Sequence, residues 1–401
     1  MIKKFVISLL VMLSLGAYAS PLETMIVSIW DADSLINAQN FKIKAAELDK
    51  FARFLPNNPV ISYADSDNQS WKTYGVSLAV GLPGKAFALH KVDSAVLKAE
   101  KAEMVAKKIE LALFVLQRYA SCAASKELLS VLSEAVKELD VLKEAITSRY
   151  EMGQSTQAER IGILLQYRQA NIEYLALVDQ TNVACDKLTQ LVKDRELDSS
   201  LAQNPELPED FSSSVLSELG SKSLDLIRAE NDSHVSAVEA DVSFWRSAPD
   251  LTFSYYRNYY NKVVASPIIP NQWTSTFLVS INIPLLYPFY ERSEIMRAKA
   301  ENQIIAQRSN MKRIESEKTI LDSAKTFVRN REIYKKLKSY DLPMAETMID
   351  STYAAYKQGK LGFSELILAK RTWLDLKKEE VNLKLSMLNS RMICLNACER
   401  N

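Results

Sequence analysis

The sequence predicts a mainly α-helical protein with a small amount of membrane β-structure, in which one plan (helix, β-hairpin, long helical hairpin) is built twice. Three observations predict it. Two stretches of the 401-residue chain are versions of one another. Each half carries a pair of strands that alternate apolar with small polar residues. The N-terminus reads as a secretion signal, yet no later apolar run reaches the roughly eighteen residues of a transmembrane helix.

The duplication is the firmest of the three. Arg149-Tyr150-Glu151-Met152-Gly153, with the run on to Ile161, matches Ala355-Tyr356-Lys357-Gln358-Gly359, with the run on to Ile367. A single offset of about 206 residues lays Tyr150 on Tyr356, Gly153 on Gly359, Glu159 on Glu365 and Glu173 on Glu379. One Y-x-x-G-x5-E arises easily by chance; two at matching places in matching halves fix an architecture.

The elements follow in order. Lys3 and Lys4 precede an apolar stretch, Phe5 to Leu15, and Ala17-Tyr18-Ala19 fits a cleavage site, so residues 1–19 are expected to be a signal peptide with Ser20 leading the mature chain. The first repeat is expected over 20–195. Leu22 to Leu55 has apolar residues near helical spacing and stops at Pro56 and Pro59. A β-hairpin over about 57–83 pairs Val60–Ala64 with Trp71–Leu82 through a turn at Asp65 to Gln69. A helical hairpin over about 85–192 follows, and its first arm of about 65 residues would be roughly 100 Å long. The linker is 196–215, with Pro205, Pro208 and three serines. The second repeat, 216–401, starts over: helix from Leu224 to Trp245, β-hairpin over about 249–286, helical hairpin over about 291–395, with a jog near Pro343. Its hairpin loop, Val263 to Asn271, is the longer of the two.

The strands carry the membrane argument. Tyr74, Val76, Leu78 and Val80 point one way, Thr73, Gly75, Ser77 and Ala79 the other. Phe277, Val279 and Ile281 oppose Thr274, Thr276 and Ser280 in the same manner. Aromatics gather at the strand ends: Tyr63, Trp71 and Tyr74 in one hairpin, Tyr255, Tyr256, Tyr259, Tyr260 and Trp273 in the other. Strands near ten residues, apolar outward and polar inward with aromatic belts, suit a membrane barrel. A soluble β-subdomain packed on helices is the alternative. Four strands cannot close alone, so a barrel requires several copies; three would give about twelve strands.

Composition narrows the function classes. The net charge is +1 and basic residues are interleaved with acidic ones, so there is no electrostatic footprint for nucleic acid. Only nine glycines and two histidines occur. No phosphate loop, nucleophile elbow, H-E-x-x-H or C-x-x-C is present, so no enzyme, cofactor or metal site is expected.

The duplicated order, with Asn58-Pro59-Val60 and Ala248-Pro249-Asp250-Leu251 entering the hairpins and Val76 to Pro83 and Val279 to Leu285 leaving them, resembles the TolC-like outer membrane factor family. The resemblance covers nearly all of the mature chain. It implies a homotrimer with a 12-stranded outer-membrane β-barrel continued by a periplasmic α-barrel. It implies an outer-membrane channel of a tripartite efflux or type I secretion system, a passive exit duct served by an inner-membrane pump and a periplasmic adaptor protein. It places the turns at Gly153 and Gly359 at the periplasmic tip, where the adaptor docks, and makes Glu159, Glu365 and Tyr356 its gate. The arginine that some members carry two residues past the second glycine is Leu361 here. Read without the family, each glycine is a helix-reversing residue and each glutamate a solvated helix surface. The competing class is a periplasmic coiled-coil scaffold or an adaptor without channel activity; cargo is not legible.

Spacing also pairs two cysteines. Cys122 lies 31 residues before Gly153 and Cys185 lies 32 after it, which puts them at one height in a hairpin reversing at Gly153. A disulfide is expected, with two buried thiols as the alternative. Cys394 and Cys398, four apart, are left open.

Overall fold

The computed structural model describes residues 21–55, 58–66, 71–193, 205, 223–246, 248–260, 272–281 and 291–394. The expected leader, all of the expected linker but Pro205, the loop 263–271 and Cys398 lie outside the described residues. Helices α1 (Pro21–Ala32) and α2 (Ser34–Ala52) precede strands β1 (Val60–Ser66) and β2 (Trp71–Gly81). Then come α3 (Pro83–Glu151), α4 (Gln157–Lys193) and α5 (Leu224–Arg246), strands β3 (Asp250–Tyr260) and β4 (Gln272–Ile281), and α6 (Glu291–Lys336). A π-helical turn (Leu337–Asp341), α7 (Leu342–Lys357) and α8 (Phe363–Cys394) complete the described elements. No helix among the described residues is long and apolar enough to cross a membrane.

Three sequence expectations are adjusted. The first helix is two: Asp33 breaks it, and its carboxylate accepts the backbone N–H of Leu35 at 2.8 Å and of Ile36 at 3.2 Å, capping α2. Strand β1 runs on through Asp65 and Ser66, which the sequence placed in the turn. The jog at Pro343 takes the form of the π turn just before it. Proline has no N–H and its ring crowds the carbonyl four residues back; widening the preceding turn, so that Leu342 N–H reaches Leu337 C=O, removes the conflict without ending the helix.

Contacts divide the chain into two compact units, each drawn from both halves. One comprises Asn37–Ala106 and Leu224–Ile314. Its four strands form one antiparallel sheet in the order β1-β2-β3-β4. The register puts Ser62, Gly75, Tyr256 and Thr276 in one row and Val76, Tyr255 and Phe277 in the next. Successive rows face opposite ways, so one face is mainly polar and the other mainly apolar. On the polar face Thr73 donates to Asn258 at 2.7 Å and Ser77 to Ser254 at 2.9 Å. On the apolar face Tyr63, Tyr74, Tyr259 and Trp273 cluster near the loop ends, with ring centroids 4.9–6.0 Å apart. Tyr256 and Trp71 depart from the expected belt: the register puts both on the polar face, with the Tyr256 ring over Gly75, where no side chain intervenes. Ile61 is 81% exposed and Phe277 67% exposed, and among the described residues neither edge strand has an outer partner. Lys85 ties the entry of β3 to the start of α3, reaching the Asp250 carboxylate at 3.0 Å and the Ala248 carbonyl at 3.1 Å.

The other unit comprises Met1–Ile36, Lys107–Ser223 and Glu315–Asn401. Its largest core joins Met25, Ile26 and Ile29 of α1 to Leu116 and Tyr119 of α3, Leu188 and Val192 of α4, and Leu388 and Met392 of α8. Trp30 donates its indole N–H to the Lys108 carbonyl at 2.9 Å, fixing α1 along α3. Cys122 and Cys185 are joined by a disulfide at the edge of this core, with Cα atoms 4.8 Å apart. The first helical hairpin meets α8 through three cross-hairpin ion pairs: Lys370–Glu138 at 2.6 Å, Lys378–Glu173 at 3.0 Å and Lys384–Glu127 at 2.7 Å.

Candidate functional site

Both hairpins reverse by the same device. Gly153 has φ +72° and Gly359 φ +69°, in the left-handed region that glycine adopts without strain. At the first turn Gly153 N–H donates to the Tyr150 carbonyl at 3.0 Å and Gln154 N–H to the Arg149 carbonyl at 2.8 Å. At the second, Gly359 donates to Tyr356 and Lys360 to Ala355, each at 3.0 Å. These are two Schellman motifs in which the last carbonyls of the long arm are satisfied by the amides that leave it.

The two glutamates start the return arms. Thr156 and Glu159 form a reciprocal capping box: Glu159 N–H donates to Thr156 Oγ1 at 3.2 Å, and Thr156 N–H donates to Glu159 Oε2 at 3.1 Å. Ser155 Oγ adds a bond to the same carboxylate oxygen at 2.6 Å. That hydroxyl, then the Thr156 amide and Arg149, hold the Glu159 carboxyl below its usual range against the opposing effect of burial. In the second repeat Leu361 and Gly362 stand where Ser155 and Thr156 stand in the first. Glu365 is accordingly left with Ser364, 2.9 Å away, and its carboxylate lies over Gly362. The T-x-x-E spacing of the first cap was readable in the sequence.

Tyr356 is buried, at 7% exposure, in a core with Leu142, Ile146 and Ile163 of the first hairpin and Phe363 and Leu366 of the second. Its ring meets Phe363 edge-on, with centroids 6.4 Å apart. The Arg149 guanidinium lies over the ring, 5.1 Å from the centroid. Burial pushes the Tyr356 hydroxyl above its ordinary range; Arg149 pulls it down and Glu159 pushes it further up. So the structure brings Tyr356, Glu159 and Arg149 of the two tips together, keeps Glu365 on the exposed start of α8, and leaves Leu361 41% exposed. Arg149 carries no local signal of this contact, because its partner is 207 positions away.

The fold matches solved outer-membrane channel structures. It is similar to the outer membrane protein VceC of Vibrio cholerae at 16% identity and a TM-score of 0.75, over 94% of this chain and 95% of that one. It is similar to the CmeC outer membrane channel of Campylobacter jejuni at 14% identity and a TM-score of 0.71, over 94% and 85%. The open-state MtrE channel of Neisseria gonorrhoeae gives 14% identity and a TM-score of 0.69, over 94% and 88%. No family model and no curated protein matches the sequence.

Proposed function

We propose that this chain is an outer-membrane channel of a tripartite efflux or secretion system, a passive duct through which solutes handed over in the periplasm leave the cell. The observation that carries the reading is the sheet. One face is mainly apolar and belted with aromatics, the other mainly polar, and among the described residues neither edge strand has an outer partner. In water such a face and such edges invite aggregation; in lipid the face is at home, but unpaired backbone groups at an edge are untenable. Joining β4 of one copy to β1 of the next resolves both problems, and three copies make a barrel of about twelve strands around a polar lumen. A coiled-coil scaffold or an adaptor has no use for this sheet. The chain has no phosphate loop with which to drive transport, so energy comes from an inner-membrane pump, and an adaptor joins the two.

The tips are the inner mouth in this reading. Gly153 and Gly359 set the turns on which the adaptor docks, and Glu159 and Glu365 of three copies put about six carboxylates around one axis, a ring that favours cations. Expected results are recovery in the outer-membrane fraction as a detergent-resistant trimer and stepwise conductance in planar bilayers. Replacing Glu159 and Glu365 together by Ala enlarges the resting conductance and weakens cation preference. A soluble periplasmic monomer without conductance overturns the channel; unchanged conductance and selectivity in the double variant remove the gate from these glutamates.

A further inference from the structure

We infer that Arg149 is the latch that holds the second hairpin tip against the first within one chain. Its consequence for the resting channel rests on the function proposed above, whereas the latch itself rests on geometry alone.

The duplication makes the case. The two turn tyrosines are equivalent by sequence, and each has an arginine over its ring. Tyr150 is served from its own hairpin, by Arg160 of the return arm at 5.0 Å. Tyr356 cannot be served in that way, because the residue matching Arg160 is Leu366, which is fully buried. Its cation comes from the other hairpin, at a position whose own counterpart in the second repeat is Ala355. The two copies have therefore diverged in a complementary manner. The first repeat supplies a guanidinium the second lacks, and the second buries the tyrosine face that receives it.

Both partners are part of the turns. The Arg149 carbonyl accepts the Gln154 amide and the Tyr356 carbonyl accepts the Gly359 amide, so each latch residue is also an anchor of its own Schellman motif. Around the contact, Leu142, Ile146, Phe363 and Leu366 keep water from one side of the ring. Glu159, capped to Thr156, adds its negative field to Arg149 without leaving its helix start. A guanidinium over an aromatic face that is partly desolvated is worth more than one in open water, and a planar ion is better suited to the ring than an ammonium.

The test reads tip separation directly. Nitroxides on Gln154→Cys and Lys360→Cys, the exposed residues after each glycine, report the distance between tips by pulsed electron spin resonance; no described native cysteine is free to compete. In trimers diluted with an excess of unlabelled chain, so that labelled chains sit singly, the parent should give one short, narrow distance. Arg149→Ala should raise a longer-distance population by about fivefold, and Arg149→Lys should fall between. Tyr356→Phe keeps the ring and should behave as the parent. An Arg149→Ala distribution matching the parent overturns the inference whatever the conductance does. Tip opening by Tyr356→Phe as large as by Arg149→Ala also overturns it, since the hydroxyl and not the ring would then be the link. Tips that part in Arg149→Ala with no change in conductance uphold the latch and count instead against the gate.

Discussion

Replacing Gly153 by alanine isolates the cost of one backbone angle. At Gly75, Gly84 and Gly362 an added Cβ carries a steric term, but here, as at Gly359, it meets nothing within 4 Å. What remains is the left-handed conformation at φ +72°, which costs an L-residue about 1–2 kcal/mol. Asparagine tolerates that region far better, so Gly153→Asn should recover most of the loss. The penalty falls on local opening of the turn, in which Gly153 N–H leaves Tyr150 and Gln154 N–H leaves Arg149 together. Free energies of 1–2 kcal/mol correspond to about five- to thirtyfold changes in population. Hydrogen exchange at residues 153 and 154 should accelerate by about that factor in the alanine variant, and only a few-fold in the asparagine variant, while amides around Leu116 in the distant core keep their protection. Equal exchange in the alanine variant and the parent, or asparagine as damaging as alanine, would falsify the assignment of this turn to a strained φ. The same pair of substitutions at Gly359 should repeat the result.

Two further outcomes follow from the helical unit. The Cys122–Cys185 bond closes a loop of 63 residues, which the chain-entropy model values at about 4 kcal/mol. The double Cys→Ala variant should unfold at a clearly lower guanidinium concentration than the oxidised parent, and reductant should lower the midpoint of the parent but not of the variant; a reductant-insensitive parent refutes the contribution. Glu159 has its carboxyl held below the usual range in the folded chain, so its capping contribution is fully present above the unfolded value near pH 4 and is lost as pH falls through the lowered one. A nitroxide at Gln157→Cys should therefore gain mobility on acidification below about pH 4, and adding Glu159→Ala should make it mobile at every pH; a parent indifferent to acid speaks against the cap.

What the sequence disclosed depended on whether the interaction is local or periodic. Strand alternation reports facing directly, because a side chain's face is set by parity; Val76 and Phe277 share a face in the structure as parity requires. Parity also assigns Tyr256 to the polar face with Thr252 and Ser254, whereas its position near a strand end says nothing of its facing. The glycine reversals were legible because the turn is local, and the Thr156–Glu159 cap could have been read for the same reason. Two features were not legible. The break at Asp33 needed a residue to choose capping over helix, which single residues do only in context. The meeting of Arg149 with Tyr356 depends on how one hairpin registers on another, set by packing of residues such as Ile146 and Phe363 that carry no label for their partner.

The core around Met25 and Ile29 has a consequence for timing. These side chains lie at the amino end, yet Leu388 and Met392 of the final helix cover them. A polypeptide is made amino end first, so α1 waits for α8 before its core is complete. Until α8 is made, Leu116 and Tyr119 of α3 and Leu188 and Val192 of α4 cover only part of that apolar surface. Docking of α1 is thus complete only once α8 has joined the core, which ties the two ends of the described fold to one folding event.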